Sequence, residues 1–291
     1  MDVSELPTPT SKRRDMKDPE ITVVMATYRH KKFLIEAIES IRKQSVDARI
    51  EVVWVWKDMK NSKDVLLDYR IGNTLQWDMM SQADRQYRTE SYMEWLGDTY
   101  VQKPDMWEQR QHGLERAWEH ICHPEGSVQY VCFFDSDDVM QPGWLEKGLA
   151  VAEEITSRGK IPIVGPSYRM VDEKLNPLQE VILPEFSMDK MLEGCIIPDF
   201  SITTAEALRS VGGFFDPDYP INKTYNFYAT WLRMLKKYGD KLEVKLLPDI
   251  GFLYRQHKKN LHHKVQSKRN SQRNVDMQKE IARHYFPEAG R

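Results

Sequence analysis

No stretch of this chain stays apolar for anything near the roughly 20 residues that cross a bilayer, and its N-terminus is polar, without a signal-peptide pattern. A membrane-spanning protein is not expected, and a cytoplasmic location is. Cysteine is scarce. Cys122, Cys132 and Cys195 show no metal-binding spacing, and their odd number, with Cys132 in an apolar segment, fits reduced thiols rather than a disulfide scaffold. Neither sign of charge dominates: 42 Lys and Arg stand against 44 Asp and Glu, a formal net charge of -2, so no bulk field of one sign selects the partners. Internal repeats and low-complexity tracts are absent, which removes repeat architectures. At 291 residues the chain can hold one large α/β domain with appendages, or one domain and a small second lobe.

What is present is concentrated. Tyr130-Val131-Cys132-Phe133-Phe134 reads as a buried strand, and Asp135-Ser136-Asp137-Asp138 arrives where it ends. Side chains two apart on a strand share a face, so Asp135 and Asp137 can point the same way if the extended geometry persists. Carboxylates that close repel unless a cation or a basic side chain lies between them. A hard divalent ion, held by one or two carboxylates plus substrate phosphates, answers that need. The same residues also read as a solvated acidic turn feeding a helix that starts at Pro142-Gly143 and reaches about Ser157.

The flanking pattern places this turn. Ile21 to Arg29 reads as a second strand, and Phe33, Leu34, Ala37, Ile38 and Ile41 then repeat at helical period. Ile50 to Trp56 is a third strand, with Trp54 and Trp56 on one face. Strand, helix and strand at this spacing form a βαβ unit of a parallel sheet covered by helices. Ligands on such sheets bind at the carboxyl ends of the strands, where Thr27, Asp58 and Asp135 are expected.

These segments resemble a known family. Ile21 to Gln44, the Asp135-Ser136-Asp137-Asp138 turn and Gly212-Gly213-Phe214 are similar to a family 2 glycosyltransferase of the GT-A fold. Arg110-Gln111-His112-Gly113-Leu114, with Ala117 after it, resembles the family's Arg-Asn-x-Gly helix. Trp231-Leu232-Arg233 and Tyr254-Arg255-Gln256-His257 resemble its Trp-Leu-Arg helix and Tyr-Arg-x-His element. The resemblance covers residues 20–258 and implies a Rossmann-like, mostly parallel sheet flanked by helices, with an acceptor-side hairpin from Tyr168 to Ile182.

The resemblance also implies roles. Thr27 would line the nucleotide pocket, Arg110 would approach a diphosphate, and Asp135 would contact ribose or sugar. Asp137 and His257 would hold Mn²⁺ or Mg²⁺, and imidazole favours Mn²⁺ of the two. The implied activity is transfer of a hexose or pentose from a nucleoside diphosphate, UDP above all, to a hydroxyl acceptor with inversion. Taken without the resemblance, Arg110 is an ordinary helix-surface charge among Glu108, Glu115 and Arg116, and His257 opens a basic run.

Departures from the family pattern qualify the function. Only Asp58 follows the third strand where the family carries two acidic residues, and it is displaced. Asn226-Phe227 stands where the family has Glu-Asp, whose aspartate is the general base; neither residue here can take a proton from an acceptor. Asp216 and Asp218 lie upstream as alternative bases, or as turn residues around Pro217 and Pro220. A catalytically silent relative that binds a nucleotide-sugar or glycan therefore stands beside the enzyme.

The remaining segments carry less. Residues 1–19 read as a flexible lead-in. Residues 57–107, rich in Trp, Tyr and Met, read as a helical insertion with its own core more than as a pocket wall. Residues 259–291 form a basic extension with a helix over 264–285. From Arg255 to Arg273 there are seven Lys or Arg, three His and no acid, a run that could touch phosphates. Nucleic acid, and transfer to modified DNA bases, is the partner this run raises.

Overall fold

A computed structural model describes residues 21–27, 31–46, 48–54, 110–111, 114–115, 129–214, 216, 225–257 and 268–290. Strand β1 (Ile21–Thr27), helix α1 (Lys31–Arg42) and strand β2 (Ala48–Trp54) make the expected βαβ unit. The two strands pair in parallel, from Ile21 opposite Ala48 to Thr27 opposite Trp54. Phe33, Leu34, Ala37, Ile38 and Ile41 of α1 are all buried, as their spacing requires.

Strand β3 (Tyr130–Asp135) lies on the other side of β1, again parallel. Its side chains divide between two cores. Tyr130, Cys132 and Phe134 face a cluster that includes α1, whereas Val131 and Phe133 face a second cluster on the opposite side. A strand covered on both faces has no polar side to show, which is why its sequence is an uninterrupted apolar run.

After the turn at Ser136–Asp138 the chain makes a two-residue strand, β4 (Val139–Met140), and helix α2 (Trp144–Ser157), whose bounds match the sequence expectation. Strands β5 (Ile161–Val171) and β6 (Pro177–Val181) form the hairpin, closed by Asp172 accepting from the backbone N–H groups of Lys174 and Asn176. Then follow helix α3 (Met188–Glu193), strand β7 (Ile202–Thr204), helix α4 (Ala205–Ser210), helix α5 (Asn226–Tyr238), strand β8 (Leu242–Arg255) and helix α6 (Lys268–Tyr285).

The sheet runs β2-β1-β3-β7-β5-β8-β4, with β6 paired to β5. Strands β1, β2, β3, β5 and β8 share one direction, and β4, β6 and β7 oppose it. The carboxyl ends of the first group therefore meet at one edge, which carries Thr27, Asp135 and Arg255.

β5 starts at Ile161, earlier than the Tyr168 expected from sequence. Pro162, Gly165 and Pro166 read as strand breakers. The pairing with β8 absorbs them by shifting register on either side of Ser167, the usual accommodation of a residue that cannot join the ladder.

Helix α6, Lys268–Tyr285, closes the second core, and residues 264–267 of the expected helix lie outside the described residues. Ile281, Ala282 and Tyr285 are buried there, whereas Val275 is 41% exposed. These buried residues fall in its last two turns. Gln278 accepts from the backbone N–H of Cys195 at 2.8 Å, tying the helix to the segment that precedes β7.

Candidate functional site

Asp135 is the last residue of β3, and the chain turns at once: the Asp138 N–H donates to the Asp135 carbonyl at 3.3 Å. Carboxylate oxygens of Asp135, Asp137 and Asp138 all lie within 4.8 Å of one another. A turn, not strand alternation, gathers them, which is why Asp138 joins the pair expected from sequence.

Asp138 is fully buried. One of its oxygens accepts from the Arg255 backbone N–H at 2.8 Å, and the other has no hydrogen-bond partner. Burial first, then the charges of Asp137 and Asp135, push its carboxyl well above the usual carboxylate range against the opposing pull of Arg255. His257 follows β8, and its Nε2 stands 2.8 Å from Asp137 Oδ2. Neighbouring ligand atoms on a small octahedral ion are about 3 Å apart. A buried oxygen without a partner, three crowded carboxylates and an imidazole at that spacing fit a divalent cation.

Arg255 braces the turn from behind. Its guanidinium is 1% exposed and donates from Nε to the Asp137 carbonyl at 2.7 Å and from Nη1 to the Glu173 carbonyl at 2.9 Å. Nη2 pairs with Glu36 of α1, and the group lies 4.4 Å from the centre of the Phe33 ring. The sequence showed Arg255 as part of the Tyr-Arg-x-His element and as the start of a basic run, and neither reveals this bracing role. Its partners on α1, the metal turn and the hairpin are remote in the chain.

The second half of the site is built on Arg110. Residues 110–111 and 114–115 have helical backbone, and Gln111 docks this segment onto Gly212-Gly213-Phe214. Its Oε1 accepts from the Phe214 N–H at 2.8 Å. Gly213, at φ 63°, leaves the room, since a Cβ there would stand 2.2 Å from that oxygen. Arg110 is 3% exposed, so it is no surface charge. Nη1 donates to Asn226 Oδ1 at 3.1 Å. Nη2 reaches Asp135 Oδ1 at 3.3 Å and Asp199 Oδ2 at 3.5 Å, and the plane lies over Phe227 at 4.3 Å.

Asn226 and Phe227 are thus spent on Arg110 and the second core, where Phe227 packs against Phe133, Phe214 and Trp231. Asp199 had no motif to mark it. It lies in a turn, Pro198-Asp199-Phe200-Ser201, that sequence alone reads as a connection. Burial on its protein side and the charge of Asp135 push its carboxyl up to about 6, against the opposing charge of Arg110. The side chain keeps 43% of its surface open to solvent.

Asp137 and His257 are brought together, and Arg110 and Asp135 meet beside them. Thr27 ends β1 at the same edge, but its side chain lies outside what is described. Asp216 accepts from the Tyr285 hydroxyl of α6. Asp58, Asp218, the 57–107 segment, the lead-in at 1–19, Lys258 and Lys259 fall outside the described residues, as do the side chains of Lys268 and Arg269. Among the described residues no helix is long and apolar enough to cross a membrane.

No family model and no curated protein matches the chain. Among solved structures it is similar to S. aureus TarS, a glycosyltransferase, at 14% identity and a TM-score of 0.52, covering 93% of this chain and 42% of TarS. Against residues 1–349 of TarS in complex with UDP-GlcNAc, the identity is 13% and the TM-score 0.54, over 93% of this chain and 71% of that one. The chain therefore spans less than half of the longer TarS structure, and what it shares with both is the mixed α/β fold.

Proposed function

We propose that this chain is a family 2 glycosyltransferase that moves a sugar from a UDP-sugar to a hydroxyl acceptor, depends on a divalent metal, and inverts the anomeric centre. The observation that carries the reading is the pairing of two half-sites at one sheet edge: Asp137 with His257, and Arg110 against Asp135. The likeness to a fold crystallised with UDP-GlcNAc supports the donor class.

Asp137 and His257 would hold the ion, Mn²⁺ before Mg²⁺ on the imidazole, with Asp135 and Asp138 adding to the negative field. Bound there, it would supply Lewis-acid charge to the departing diphosphate. The protein's own parts are then clear. Arg110, preset by Asn226, Phe227 and the carboxylates, offers paired donors to phosphate oxygens. Asp135 orients ribose or sugar. Thr27 and Asp58 would line the nucleotide pocket. Arg255 keeps the Asp137–Asp138 turn rigid, which fixes the ligands.

The test is UDP release from a panel of UDP-sugars, with Mn²⁺ and with chelator, in the wild type and in Asp137→Ala. Metal-dependent turnover lost in the variant is the expected result. Turnover indifferent to Mn²⁺ and to Asp137 overturns the metal-dependent reading. The second reading, a silent nucleotide-sugar-binding relative, is favoured by Asn226 and Phe227 at the family's acidic positions. It predicts binding with no turnover of any donor.

A further inference from the structure

Asn226 and Phe227 leave the expected catalytic aspartate unfilled, and the Phe227 ring lies directly under Arg110. Asp216 is held by Tyr285 at the foot of α6. Among the described residues, Asp199 is the carboxylate that combines contact with Arg110 and access to solvent without being part of the acidic turn. It shares the Nη2 atom of Arg110 with Asp135, so it stands beside the acidic turn, at one end of the guanidinium that would hold the diphosphate.

Asp199 is also held as a catalytic group must be. Pro198 packs onto Gly165 of β5 so closely that a Cβ there would stand 2.8 Å from the ring. Ser201 closes the turn, donating from N at 3.2 Å and from Oγ at 2.8 Å to the Pro198 carbonyl. On the other side Phe200 is buried against Phe252, with ring centres 3.9 Å apart. Both neighbours of Asp199 are thus anchored, while its own side chain remains 43% exposed. An ordinary surface turn has no reason to be pinned on both sides; a side chain that must meet a substrate does.

We propose that Asp199 is the general base of the transfer, doing the work that Asn226 and Phe227 cannot. This rests on the glycosyltransferase reading above. In the step, an Asp199 oxygen takes the proton of the acceptor hydroxyl. The hydroxyl oxygen's electron pair forms the new bond to the anomeric carbon. The bond from that carbon to the diphosphate oxygen breaks, and its electrons leave with the nucleoside diphosphate. Its carboxyl, pushed up to about 6 chiefly by burial, is ionised at neutral pH and basic enough to take up a proton.

The natural acceptor being unidentified, water and azide serve as probes. UDP-GlcNAc, UDP-glucose and UDP-galactose are offered with Mn²⁺ to the wild type, Asp199→Asn, Asp199→Ala and Asp137→Ala. Melting temperatures and UDP affinity are recorded for each. The Asp199 variants are expected to melt within a few degrees of the wild type and bind UDP normally, and to lose UDP-sugar hydrolysis by about 100-fold or more. Azide carries no proton to remove, so it should restore turnover in Asp199→Ala, giving a glycosyl azide, and fail to do so in Asp137→Ala. Hydrolysis near the wild-type rate in Asp199→Asn overturns the assignment. So does a loss that azide does not repair in a variant that still binds UDP, for that marks a structural role. If the wild type neither binds UDP nor turns over a UDP-sugar, the transferase reading itself falls, and the base with it.

Discussion

Arg110 and Asp199 face each other across 3.5 Å, the arginine 3% exposed and the aspartate 43%. A buried cation is thus paired with a carboxylate that solvent can reach, at the edge where five codirectional strands end. Under the proposed function, that asymmetry assigns the fixed group to the phosphates and the accessible one to an incoming hydroxyl.

Arg110→Ala should weaken UDP binding by about 10- to 100-fold, the loss of one or two charge-assisted hydrogen bonds. Arg110→Lys should recover only part of it, because an ammonium cannot span Asn226, Asp135 and Asp199 as the guanidinium does. Calorimetric titration of UDP with Mn²⁺ measures both. Unchanged affinity in the alanine variant would remove Arg110 from the diphosphate.

Gly165→Ala should separate chemistry from binding. The added carbon would stand 2.7 Å from Ser201 Oγ and 2.8 Å from Pro198, so the turn carrying Asp199 must move, at about 1–3 kcal/mol of stability. Turnover should fall while UDP affinity holds. A variant with unchanged kcat would show that the position of this turn does not matter.

Asp138→Asn should stabilise the metal-free protein by about 1–2 kcal/mol, since it removes a fully buried carboxylate with one unpaired oxygen. It should also lessen the rise in Tm that Mn²⁺ gives the wild type. A lower Tm in the metal-free variant would contradict the crowding described at this turn.

The pH dependence has a definite sign. Asp199 is raised from 3.8 to about 6 in the folded protein, so between those values the folded state binds more protons than the unfolded chain. Its contribution to stability therefore falls as pH rises through that window, and the raised carboxyl of Asp138 acts in the same direction. Without divalent ions, Asp199→Asn should gain Tm relative to the wild type on going from pH 5 to pH 7. Base-dependent turnover should drop as pH falls through about 6. A Tm difference that moves the other way contradicts the assignment.

Much of this frame was legible because local pattern and tertiary need agree. The apolar stripe of α1, the Pro142-Gly143 start of α2 and the charge-free run of β3 each have one good interpretation, and the structure adopts it. The front half of β5 was hidden by Pro162, Gly165 and Pro166, whose cost is met by pairing with β8, a partner far along the chain. Arg110, Asp135, Asp137 and His257 could be named from motifs. Asp199 and the bracing role of Arg255 could not, because each is defined by contacts between segments that nothing local connects.

The central claim is best tested by titrating UDP into the wild type and Asp137→Ala, with Mn²⁺ and then with chelator. The expected result is tight binding to the wild type only with Mn²⁺, and weak binding to the variant under both conditions. Equal affinity in all four titrations, or no binding in any, would contradict a metal–diphosphate site at Asp137 and His257.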